Sequence, residues 1–366
     1  MEYLRLIEAE DWSAITSVRQ GECKSGQCLR LLSGYSDGVN WKEWPLETLC
    51  AELNEAWRDG ARFALLGVPE DISPRANLGR GGAQCAWSAF LPAWANLQAN
   101  RFLDYSKILL LGSVECTDLQ ERSAAADVKT LRSLCAELDQ RVSAIVAAAA
   151  SAQLIPVVIG GGHGGSWGII KGVVDGFAGA ARGLAVINCD PHGDYRPLEG
   201  RHSGNAFSYA RQAGWLQRYH VLGLHESYNS ENMLKQMAAD GVTWTSFEDI
   251  FVRSQMSWEE ALCACAEQIN SASLPVGIEC DMDSIAYMPS SAMLPYGISL
   301  REAARYVFYM GSHLPVAYLH CAEAAPGLGT DGERTAGRAL AWLVACFCKA
   351  VMEAELHPMA AEEALK

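Results

Sequence analysis

The sequence lacks any excess of positive charge: 29 Lys and Arg stand against 43 Asp and Glu, a formal charge of −14. So acidic a chain has no electrostatic footprint for nucleic acid or anionic lipid, and neither is expected as a partner. A disulfide framework is lacking too, because the 13 cysteines are odd in number and fall at no paired spacing. The opening MEYLRLIEAEDW has no basic start followed by an apolar core, so no secretory signal is expected. A reducing cytoplasm fits best, with most thiols acting as small buried hydrophobes. The one long uncharged stretch, residues 142–162, contains Ser143, Ser151, Gln153, Pro156 and three glycines. That is not the ~20 mostly apolar residues a membrane span needs. No Pro/Ser-rich linker and no repeat divides the chain, so one large domain is expected.

What is present is a series of short apolar runs: 61–69, 107–114, 154–160, 183–190, 219–226, 242–247, 274–283 and 314–323. Each is continuous rather than alternating, the pattern of a strand buried on both faces of a parallel sheet. Amphipathic helical patterns lie between them at 129–152, 165–177, 229–240, 257–272 and 299–313, with a last one from about Glu333. This alternation predicts an α/β fold, a three-layer α/β/α sandwich around a mostly parallel sheet of eight strands. The first 58 residues carry no clear pattern, and residues 357–366 read as a frayed tail.

Ligands of open parallel sheets bind beyond the carboxyl ends of the strands. There the run 154–160 leads into GGGHGG with His163, the run 183–190 ends in Asp190-Pro-His192-Gly-Asp194, and the run 274–283 ends in Asp281-Met-Asp283. Four carboxylates on one rim would repel strongly in a low-dielectric cleft unless cations sat among them. Two divalent ions match four aspartates in charge. Oxygen and imidazole donors without thiolates suit Mn2+ or a similar metal rather than a structural zinc. In extended backbone, residues i, i+2 and i+4 share a face, so Asp190, His192 and Asp194 can converge, as can Asp281 and Asp283. Two metals about 3.5–4 Å apart can activate water at neutral pH.

The ordered set GGGH, DPHGD and DMD resembles the ureohydrolase superfamily of arginases, agmatinases and formimidoylglutamases, over roughly residues 60–350. The resemblance implies an arginase-like domain at 59–356, with residues 1–58 an N-terminal extension packed on it. It also implies two Mn2+ per subunit. One would be held by His163, Asp190, Asp194 and Asp281, the other by Asp190, His192, Asp281 and Asp283. Glu323, in HCAEAAP, matches the acid that pairs with the substrate amidine. Formimidoylglutamase is the nearest likeness, through DYRP (194–197), HSGNAF (202–207) and GVPEDISPRANLGRGGA (67–83). The chain departs from the family pattern at Gly164, at Asn205-Ala206 and at Ala286.

The implied reaction is hydrolysis of a C–N bond in an amidine, with N-formimidoyl-L-glutamate giving L-glutamate and formamide. Asp194 is the expected proton shuttle and His202 a second one, while Glu323 accepts hydrogen bonds from the cationic NH groups. The two carboxylates of that substrate call for arginines, which bind carboxylates as a fork. Arg75, Arg80, Arg196 and Arg201 fall in candidate rim loops, with Ser203 and Asn205 beside them in the HSGN turn. A guanidino substrate releasing urea, or a catalytically weak metal-binding relative, are the other readings. A homo-oligomer is compatible with either. Cys189 and Cys280 alternate with the aspartates and are expected to pack under helices. His225 and His320 read as core or rim histidines, and Cys23 and Cys28 lack a second pair to complete a metal site.

Overall fold

Ten strands join one sheet in the computed structural model, which describes residues 3–32 and 45–356. In chain order they are β1 (Leu4–Arg5), β2 (Arg30–Leu31), β3 (Phe63–Gly67), β4 (Ile108–Val114), β5 (Ile155–Ile159), β6 (Leu184–Cys189), β7 (Leu216–Leu224), β8 (Thr243–Ser246), β9 (Val276–Asp281) and β10 (Val316–Ala322). Across the sheet the order is β1-β4-β3-β5-β10-β9-β6-β7-β8, and β2 also pairs with β4. Among these strands of the described residues, only the β1–β4 pairing is antiparallel. The eight runs predicted from their continuous apolar character are β3 to β10.

The other two strands come from the first 58 residues, where two-residue pairings are too short to leave any periodicity. Helix Leu46–Arg58 also lies there, and its Leu49 and Leu53 are fully buried. The expected frayed tail, residues 357–366, lies outside the described residues.

Side chains alternate between two cores, as the pleat requires. Phe63 and Leu65 of β3 face one core, shared with helices Ala86–Ala95, Trp258–Asn270, Leu300–His313 and Gly332–Leu356. Ala64 and Leu66 face the other, shared with Leu46–Arg58, Val128–Ser151 and Ser166–Gly176. Helices thus cover both faces of the sheet, the three-layer arrangement. The uncharged stretch 142–162 divides into the end of one helix and β5. Among the described residues no helix is long and apolar enough to cross a membrane.

One packing contact sets where the functional loops sit. Helix Ser166–Gly176, which directly follows His163, lies against Val128–Ser151 along a stripe of glycines. A Cβ on Gly168 would stand 2.8 Å from the Asp139 carbonyl oxygen, and one on Gly172 would stand 2.7 Å from that of Ser143. Only bare backbone allows so close an approach. Gly172→Ala is expected to cost about 1–3 kcal/mol through overpacking, read as a lower urea midpoint. An unchanged midpoint would contradict the close helix contact.

Candidate metal centre

The strand ends that carry the motifs are neighbours in space, because β5, β10, β9 and β6 are consecutive in the sheet. β5 delivers His163, β10 delivers Glu323, β9 ends at Asp281 and β6 leads into Asp190. After β5 the chain turns through Gly160 (φ +83°) and Gly161 (φ +73°), conformations that L side chains rarely adopt. Glu70 then holds the turn from beneath. Its buried carboxylate accepts hydrogen bonds from Gly162 N (2.7 Å), Ser73 N (2.9 Å) and Ser73 Oγ (2.7 Å).

His163 is fully buried, and three carboxylates converge on its Nδ1: Asp281 Oδ2 at 2.9 Å, Asp194 Oδ2 at 3.0 Å and Asp190 Oδ2 at 3.1 Å. The ligand atoms of these four residues all lie within 4.8 Å of one another. Neither ring nitrogen of His163 makes a hydrogen bond of good geometry. Burial, with the charges of Asp190 and Asp283 adding to it, pushes the Asp281 carboxyl well above the usual carboxylate range. One imidazole proton cannot satisfy three buried carboxylates, whereas a cation at their centre would satisfy all four side chains. The donor set of this first group therefore fits a divalent metal.

The second group is more open. His192 is half-buried, with Nδ1 3.4 Å from Asp190 Oδ1, and its backbone N–H donates to that same oxygen at 2.7 Å. Asp283 donates its N–H to Asp281 Oδ1 (2.7 Å), while its own carboxylate accepts from Ala292 N (2.8 Å) and Ser291 Oγ (3.1 Å). His192 and Asp283 thus each contact one aspartate of the first group, and His192, Asp281 and Asp283 border the cavity.

Glu323 stands at φ +65°, an uncommon conformation for a non-glycine residue. Its Oε1 accepts from His163 N at 2.7 Å, and its buried Oε2 has no hydrogen-bond partner among the described residues. Burial and the charge of Asp283 push its carboxyl up to about 8. A cationic ligand would relieve both.

These groups border a cavity of about 1120 Å³ whose lining includes His192, Asp194, Asp283, Glu323, Ser203 and Arg196. Among the described residues Arg196 has no ion-pair partner, whereas Arg201 pairs with Asp139 and Arg132 with Glu199. The other three arginines singled out from the sequence do not line the cavity. Arg75 is paired with Asp71 at 2.9 Å and hydrogen-bonded to Ser123. Arg80 donates to the Ser291 carbonyl at 2.8 Å, tying two rim loops together. Arg201 is buried, bonding Asp139 (2.9 Å), Asn205 Oδ1 (2.6 Å) and the Gly164 carbonyl (2.7 Å).

His202 and Asn205 also lie behind the lining. His202 Nδ1 accepts from Gly204 N and Nε2 meets Glu199, while the Asn205 amide donates to the carbonyls of Pro197 and Gly200. Gly164 has a steric cause, since a Cβ there would stand 2.5 Å from Ser73 Cβ. Sequence reasoning missed Glu70 and Glu279, both fully buried acids. Glu279 had a legible signal, a charge inside an otherwise apolar strand run.

Residues 61–348 match the family model described as the arginase family. The chain belongs to that family, and it is a ureohydrolase-type hydrolase acting on amidine C–N bonds. Within the family its likeness runs to formimidoylglutamases. That of Geobacillus thermodenitrificans is 27% identical over 307 residues, covering 80% of this chain and 84% of that protein. The crystal structure of formimidoylglutamase from Bacillus subtilis superposes with a TM-score of 0.69 at 17% identity, covering 92% of this chain and 95% of that one. Trypanosoma cruzi formiminoglutamase with Mn2+ does so with a TM-score of 0.63 at 21% identity, covering 82% and 98%.

Since Arg201 stands in a buried ion pair, Arg201→Ala leaves Asp139 uncompensated. It is expected to cost roughly 3–5 kcal/mol of stability, read by chemical denaturation. A variant as stable as the parent would contradict this scaffold role.

Proposed function

We propose that this chain is a dimanganese hydrolase converting N-formimidoyl-L-glutamate to L-glutamate and formamide. The observation that carries this reading is one cavity lined both by Arg196, which has no ion-pair partner among the described residues, and by Asp194, Asp281, Asp283 and Glu323. It matches a substrate with an amidine cation at one end and carboxylates at the other. The identity of the curated relatives agrees with it. The far end of a second-cation substrate such as agmatine would meet Arg196 unfavourably.

His163, Asp190, Asp194 and Asp281 would hold one Mn2+, and Asp190, His192, Asp281 and Asp283 the other. When bound, the two ions supply Lewis-acid polarisation and an activated water. The remaining work falls to side chains. Glu323 Oε2, free of other partners, accepts hydrogen bonds from the amidine NH groups and orients the planar carbon. Asp194 takes a proton from the attacking water and passes it to the leaving amine. Arg196 grips a substrate carboxylate, with Ser203 beside it in the cavity wall. His202 has both ring nitrogens engaged within its own turn and acts by shaping that turn. In this reading residues 59–356 form the catalytic domain, and 1–58 an extension whose β1 and β2 join the sheet. All 13 cysteines are free, which suits a cytoplasmic enzyme.

A proton NMR time course of Mn2+-loaded protein with N-formimidoyl-L-glutamate should show formamide and glutamate appearing together, and chelation should abolish both. A flat time course with two metals bound would overturn the substrate assignment and favour guanidino substrates. Arg196→Ala should raise KM for this substrate by roughly 10- to 100-fold, the loss of a charged hydrogen-bonded contact worth about 1.5–3 kcal/mol. An unchanged KM would remove Arg196 from the site. Glu323→Gln is expected to keep its metals and lose most turnover, and full activity would reject its amidine contact.

A further inference from the structure

A row of polar side chains crosses the sheet one pleat below the rim aspartates. Glu279 on β9 stands in register with His320 on β10 and with Asn188 on β6. Asp190 and Asp281 follow Asn188 and Glu279 by two residues and so share their face. Glu279 and Asn188 are fully buried and His320 is 1% exposed. The flanking positions on these strands are apolar: Ile187 and Cys189, Ile278 and Cys280, Leu319 and Cys321. Desolvating such groups is costly, and a well-packed apolar row would serve stability at least as well.

The row is bonded as a unit. His320 Nδ1 lies 2.8 Å from Glu279 Oε2, and Tyr318 OH donates to Glu279 Oε1 at 2.7 Å. Ser166 Oγ meets His320 Nδ1 at 3.2 Å. Gly277, in register with Tyr318, leaves the space the phenol ring fills, since any Cβ there would overlap it. The same Glu279 Oε2 faces the Nε2 of His163 at 3.4 Å, on the side of the ring opposite the three aspartates.

We infer that Glu279, held by His320 and Tyr318, is a positioning residue for His163: its carboxylate, 3.4 Å behind Nε2, favours the tautomer protonated on that nitrogen and so leaves the Nδ1 lone pair to face Asp190, Asp194 and Asp281. A carboxylate behind a ligating imidazole fixes the ring's orientation and tautomer and raises its basicity. The inference rests on the proposed metal centre and adds to it the layer that aims its one fully buried histidine. Asn188 serves the same layer from the other side, donating to Asp190 Oδ2 at 2.8 Å.

The test is Mn2+ titration of chelator-stripped wild type, Glu279→Gln and Tyr318→Phe, with the metal-free melting temperature of each as a control. Glu279→Gln should melt near wild type when metal-free, bind its tightest Mn2+ about 10- to 100-fold more weakly, and change the EPR spectrum of the bound ions. Tyr318→Phe, which removes one hydroxyl, should show a smaller loss in the same direction. Unchanged affinity and spectrum in folded variants would overturn the positioning role. Three tight equivalents in wild type would overturn it as well, by making Glu279 and His320 ligands themselves. If wild type binds fewer than two Mn2+, the metal reading fails first and this inference falls with it.

Discussion

Mutual repulsion among buried carboxylates is the constraint on which the site is organised. Asp190, Asp194 and Asp281 place oxygens around a single imidazole nitrogen, and Asp283 adds a further negative charge beside Asp281. No arrangement of protons satisfies that cluster as well as cations at its centre. The structure keeps such groups together because their backbones are strand ends in a sheet held by two apolar cores. Local electrostatic cost is met by distant packing.

The order of strands turns that cost into a site. Four sequence segments far apart in the chain meet because β5, β10, β9 and β6 lie side by side. Loops then finish what the strands begin. Glu70 braces the glycine turn before His163, Arg201 ties the HSGN turn to Asp139 and Gly164, and Arg80 links the rim to Ser291. Glu323, reached through a left-handed backbone conformation, brings one unpartnered oxygen to the cavity wall. Beneath them the Asn188–Glu279–His320 row gives the rim a polar floor where an apolar one would have sufficed for folding.

Much of this was legible in the sequence. Continuous apolar runs marked β3 to β10, because burial on both faces leaves no alternation to hide them. The spacing of D-x-H-x-D and D-x-D marked which side chains share a face. β1 and β2 left no mark, since two residues of edge pairing need no pattern. The arginines illustrate a different limit. Sequence position put Arg75, Arg80, Arg196 and Arg201 in the right loops, but whether a guanidinium faces a cavity depends on which acid lies nearest in space. Asp71 and Asp139 hold Arg75 and Arg201. His202 and Asn205 are likewise spent on their own turn. Glu279 was visible as a charge within a buried run, and only the register with His320 gave it a partner.

The proposed function requires two cations to share this carboxylate cluster, with Asp190 common to both. Metal analysis of Mn2+-equilibrated, gel-filtered protein tests it most directly, comparing wild type with Asp190→Asn. The expected result is two Mn2+ per chain in wild type and almost none in the folded variant. Two equivalents retained without the Asp190 carboxylate would rule out a shared bridging aspartate at this position.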